Sequence, residues 1–79
     1  MYYTYRVEFI TGYLVIQTTV ALMLDDNTGN ASDEAREQAI IEADASVEYE
    51  TGSKIAHRAY ETKVTLLLDD NTELELGDN

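Results

Sequence analysis

The sequence predicts an α+β domain of order ββαββ, a four-stranded antiparallel sheet with one helix packed on one face. Three observations carry this. Tyr2 to Ile10 alternates apolar and polar side chains, the period of a half-buried strand. Ser32 to Glu50 is a run of helix-forming residues that begins at a capping serine and stops before Gly52. Two more segments, rich in Val, Leu and Thr, each end in Asp-Asp-Asn-Thr, which reads as strand followed by turn. The 79 residues make a single small acidic domain, 1–79.

In the first strand Tyr3, Tyr5, Val7 and Phe9 share one face, with Tyr2, Thr4, Arg6 and Glu8 on the other. Thr11-Gly12 signals a tight turn, because glycine tolerates the positive φ that such turns use. A second strand, Tyr13 to Leu24, puts Leu14, Ile16, Val20, Leu22 and Leu24 on one face. Its other face, Tyr13, Val15, Gln17, Thr19, Ala21 and Met23, is also fairly apolar. Asp25 to Asn30 then breaks the pattern with loop formers. In the helix, Asp33 and Glu34 complement the dipole of the first turn. Ala39, Ile40, Ala43 and Val47 form a narrow apolar stripe suited to lying on a sheet. A third strand is expected from Lys54 to Leu68, with Ala56, Tyr60, Val64, Leu66 and Leu68 on one face. Asp69 to Thr72 turns it into a short last strand, Glu73 to Leu76. The second and third strands exceed the usual length, so each is expected to bend or bulge.

One internal repeat is present. Thr18 to Thr28 recurs as Thr62 to Thr72, identical at eight of eleven positions at a fixed offset of 44. Two readings stand side by side: a duplicated ββ unit, or two strands that end in the same turn chemistry.

Sixteen acidic residues face five basic ones, a formal charge of −11. Such a surface repels nucleic acid and anionic membranes, which excludes direct binding to either. The longest uncharged stretch, Phe9 to Leu24, carries Gln17, Thr18 and Thr19 in its middle and is too short and polar to span a bilayer. No secretory signal is visible after Met1, and Asn30-Ala31-Ser32 is read as a chance glycosylation match. The absence of cysteine fits a reducing compartment, so a cytoplasmic location is expected.

Catalysis by nucleophile and base finds little support. His57 is the only histidine, placed in the third strand between Ala56 and Arg58, and the four glycines form no phosphate loop. The expectation is a protein that is not an enzyme and uses no cofactor. Asp25 to Asn30 invites a calcium reading but fails the EF-hand pattern, with Asn30 where glycine belongs and Arg36 where the bidentate Glu belongs. No metal site is expected.

Binding surfaces remain. At helical spacing Glu34, Glu37, Asp44 and Glu48 fall on one face with Ile41 in their midst. This is either a solvated coat or an acidic rim around an apolar anchor that suits a basic partner protein. Acids one helical turn apart lie about 5–6 Å from each other, close to phosphate spacing along a nucleic acid strand. Asp25, Asp26, Asp69 and Asp70 extend the same field. A second surface is the sheet face away from the helix, where Tyr13, Val15, Met23, Ile55 and Leu67 are the candidate self-association residues of a homodimer.

In length, charge and lack of a catalytic motif, the chain is similar in profile to small phage-encoded inhibitors, among them anti-CRISPR proteins and DNA mimics that occupy nucleic-acid-binding grooves. That resemblance implies an acidic inhibitor or decoy, a viral protein working in the host cytoplasm. The alternative is a structural or assembly protein acting through the apolar sheet face or an edge strand.

Overall fold

A computed structural model describes residues 1–77. In chain order it holds β1 (Tyr2–Ile10), β2 (Val15–Met23), α1 (Asp33–Thr51), a 3-10 turn (Ile55–Arg58), β3 (Glu61–Leu67) and β4 (Glu73–Leu76). All strand pairings are antiparallel, in the order β2-β1-β3-β4. The expected ββαββ fold is present, with α1 packed on one face of the sheet.

Side-chain alternation sorts the sheet. Tyr5 of β1 stands opposite Val20 of β2 and Leu66 of β3, while Val7 stands opposite Thr18 and Val64, and Val64 opposite Leu76. These rows face the helix. Tyr5, Val7, Phe9, Val64 and Leu66 are buried, and against them lie Ala35, Ala39, Ala43 and Val47 of α1. Small side chains let the helix backbone approach the sheet closely, so Ala43 has no exposed surface at all. Ile40, assigned to this stripe, sits at its margin and is half-buried, while Ala35 joins it one turn earlier.

Both helix ends are capped locally. The Ser32 hydroxyl accepts from the Ala35 N–H at 3.1 Å. Gly52 closes the other end at φ 69°, its N–H donating to the Glu48 carbonyl at 2.8 Å. Glycine reaches that left-handed conformation without the cost a Cβ imposes.

Three expectations are corrected. The β1–β2 turn does not depend on a positive φ at Gly12. Thr11 organises it instead, its hydroxyl donating to the Leu14 carbonyl and accepting from the N–H groups of Tyr13 and Leu14. Next, β2 is nine residues long and pairs with β1 in unbroken register, so no bulge is needed. Finally, the stretch from Lys54 to Tyr60 is not strand. His57 N–H donates to the Lys54 carbonyl and Ala59 N–H to that of Ala56, closing a 3-10 turn. That turn buries Ala56 and packs Ile55 on the core, leaving Tyr60 exposed, because the chain must first descend from the helix layer before it can join the sheet.

The two copies of the repeat share strand orientation but not surroundings. Val20 and Val64, like Leu22 and Leu66, all face the helix, yet Leu22 pairs with Tyr3 and Leu66 with Tyr5. Their turns differ too. In the first, Asp25 accepts from the N–H of Asn27 and the hydroxyl of Thr28. In the second, Asp70, one place later in the motif, accepts from Thr72 N–H, and Asn71 adopts φ 67°.

Candidate interaction surfaces

Among the charged side chains of α1, Arg36 alone is basic, against Asp33, Glu34, Glu37, Glu42, Asp44, Glu48 and Glu50. Arg36 borders the hollow beside Glu37 and Ile41. Its guanidinium reaches down to the carbonyls of Leu76 and Thr62, at 3.2 and 3.1 Å, and ties the helix to β3 and β4. Glu34, Glu37 and Glu48 are exposed, and among the described residues no basic group pairs with them. Ile41 lies in their midst with 60% of its surface exposed. Shallow hollows flank it, one towards Met23 and Leu22 of β2, the other towards Asp33 and Ile40.

Asp44 behaves differently from its neighbours. It is half-buried on the flank of α1, and its Oδ2 lies 2.6 Å from Nε2 of His57 on the 3-10 turn. Its Oδ1 is buried and has no hydrogen-bond partner among the described residues. Of the five residues assigned to the acidic face, Asp44 is therefore the one that serves the α1-to-turn contact. Sequence periodicity does not reveal this, because it predicts a strand at His57 where the chain forms a 3-10 turn.

The turns that follow β2 and β3 leave the same end of the sheet, since Met23 pairs with Tyr2 and Leu67 with Thr4. Asp25, Asp26, Asp69 and Asp70 are exposed there. Asp25 and Asp70 are held below the usual carboxylate range, chiefly by side-chain hydrogen bonds from Thr28 and Thr72.

The sheet face away from the helix is not the apolar surface expected. At its centre Arg6 grips Glu73 through two hydrogen bonds of 2.7 and 3.1 Å and lies 3.8 Å from Glu8. That pairing draws the Glu73 carboxyl below its ordinary range. Lys63 adds a looser contact to Glu61 at 4.0 Å. Apolar side chains keep to the margins of this face. Val15 and Met23 are exposed at opposite ends of β2, and Leu67 is half-buried beside Thr4. Ile55 belongs to the 3-10 turn and packs on the core, and Tyr13 projects from the β1–β2 turn. The five residues assigned to self-association thus form no single patch. The signal that would have corrected this was already visible in Arg6 and Glu8, once β1 is known to be central.

Among the described residues no three His, Cys, Asp or Glu side chains are grouped to hold a metal ion, and no helix is long and apolar enough to cross a membrane. No protein-family model, curated protein or solved structure matches the chain.

Proposed function

We propose that the protein is a non-enzymatic, acidic protein-binding module that occupies a basic, nucleic-acid-binding surface of a partner protein. It acts as an inhibitor or decoy in the cytoplasm, the host cytoplasm if it is phage-encoded. The observation that carries this reading is the outer face of α1, where exposed Glu34, Glu37 and Glu48 surround exposed Ile41 and, among the described residues, enter no ion pair. Successive acids on such a face repeat at about 5–6 Å, so a groove lined with Arg and Lys meets a row of negative charge, with one apolar anchor to fix the register. A rigid helix presents that row at little entropic cost on binding.

The test is capture of partners from the native host's lysate at low and high salt, followed by affinity measurement with variants. Glu37→Lys combined with Glu48→Lys reverses the face without touching the Asp44–His57 contact, and is expected to lower affinity by well over tenfold. Ile41→Ala weakens binding but leaves its salt dependence unchanged, since it removes apolar contact and no charge. If the charge-reversed protein binds its partner as tightly as the wild type, the acidic face is a solubility coat and this reading fails.

A further inference from the structure

We infer that β2 is a pairing edge for a second copy of this chain, joining two four-stranded sheets into one of eight through antiparallel β2·β2 contact. The backbone defines which groups are on offer. The Ile10 carbonyl accepts from Tyr60 N–H, so Ile10 points towards β3, and Val15, its partner across the turn, turns its own N–H and C=O outward. Alternation then directs Gln17, Thr19, Ala21 and Met23 outward as well. This is a ladder of unpaired donors and acceptors along the full length of β2, whose nine residues include neither a charge nor a proline.

The side chains on both sides of that edge are left incompletely covered. On the helix side Ile16, Thr18 and Val20 are only half-buried, whereas Tyr5, Val7 and Phe9 of β1 and Val64 and Leu66 of β3 are sealed. On the other side Val15 and Met23 are 54% and 64% exposed. Another strand laid along the edge covers both sets at once.

Charge and symmetry select a second copy as that strand. Two chains of −11 repel wherever acids meet, and Phe9 to Leu24 is the longest segment without any. A two-fold axis through Thr19 sets outward-pointing residues against each other, Thr19 on Thr19, Gln17 on Ala21 and Val15 on Met23. The same register puts Ile16 beside Leu22 and Thr18 beside Val20 on the helix side, so no charge is buried in the seam. Because that axis stands normal to the sheet, both α1 helices lie on the same side of the joined sheet. The inference rests on β2 and on none of the acids of α1, although Met23 shares a hollow with Ile41.

Sedimentation of the full chain from micromolar to millimolar concentration is the first test. A dimer is expected to appear with concentration and to strengthen at high salt, where the repulsion between copies is screened. Partner binding through the acidic face weakens under the same conditions, so the two readings fail separately. Thr19→Pro removes the central outward N–H while sparing the β1·β2 ladder, a placement edge strands tolerate, and is expected to keep the protein monomeric with an unchanged circular dichroism spectrum. Thr19→Lys, which sets two cations face to face on the axis, gives the same result should the proline disturb the fold. Thr19→Cys provides a positive signal. Residues in a hydrogen-bonded antiparallel pair stand about 5.5 Å apart at Cα, within disulfide reach, so oxidation is expected to cross-link this variant well over tenfold faster than Tyr13→Cys at the exposed turn. A wild type that stays monomeric at all concentrations, dimers indifferent to both Thr19→Pro and Thr19→Lys, or equal cross-linking at positions 13 and 19 overturns the inference.

Discussion

The two edges of the sheet are built on opposite principles. β4 is four residues long, places Glu73 and Glu75 on its outer side and has Glu73 clamped across the sheet by Arg6. Short length and charge are the usual means of keeping a strand edge from recruiting another strand. β2 is more than twice that length and has neither protection. The contrast sharpens when β2 is set beside β3, its near-copy in sequence. Val64 and Leu66 of β3 lie between β1 and β4 and are sealed, whereas Val20 at the equivalent position of β2 is half-buried. Val20 and Val64, one residue type at one place in the motif, are thus buried unequally because one has a neighbour strand on one side and the other on both, while Leu22 and Leu66 are buried in both copies.

That comparison can be broken by substitution. The largest effect is expected at Leu66→Ala, which opens a cavity beneath α1 and costs about 2–5 kcal/mol in urea unfolding. A loss well below this range would mean that the centre of the sheet is no better packed than its edge. Ala43→Leu comes next. Ala43 has no exposed surface and touches the sheet through a small side chain, so the added volume overpacks the interface at a cost of about 1–3 kcal/mol. Unchanged thermal stability would show that the helix has room to lift away.

The direct comparison is Val64→Ala against Val20→Ala, the same substitution in the two copies of the repeat. Removal of two buried methyl groups at Val64 costs roughly 2 kcal/mol, and half that or less at half-exposed Val20. Measured in dilute monomer, equal losses would erase the distinction between interior and edge copies.

Smallest is the pH dependence of the Arg6–Glu73 contact. The hydrogen bond from Arg6 lowers the folded-state carboxyl of Glu73 and raises the Arg6 guanidinium, so Arg6 stays charged throughout. A depressed acid stabilises the fold above its unfolded value of about 4.3, and that contribution is lost as pH falls through the lower folded value. Urea unfolding between neutral and strongly acid pH is expected to lose part of its acid limb in Glu73→Gln. An unaltered profile would assign no protective energy to the pair on β4.

Much of this architecture was determined by the sequence alone, and for a common reason. The alternation of Tyr3, Tyr5, Val7 and Phe9, the alanine stripe of α1, the Ser32 cap and the Gly52 stop all depend on the residue itself and neighbours within one turn or one pleat. The exposure of Glu34, Glu37, Ile41 and Glu48 was legible on the same basis, as positions opposite that stripe. Tertiary structure alone decided the order β2-β1-β3-β4, because strand neighbours are chosen by contacts between residues far apart in the chain. That order put Arg6 at the centre of the open face, left the uncharged β2 at an edge, and gave two copies of one motif unequal burial. It also required the chain to drop from helix to sheet through Ile55–Arg58, which brings His57 onto Asp44 and takes one acid out of the helix's outer row. Periodicity reports which face of an element is apolar. It carries no information on which element arrives to cover that face.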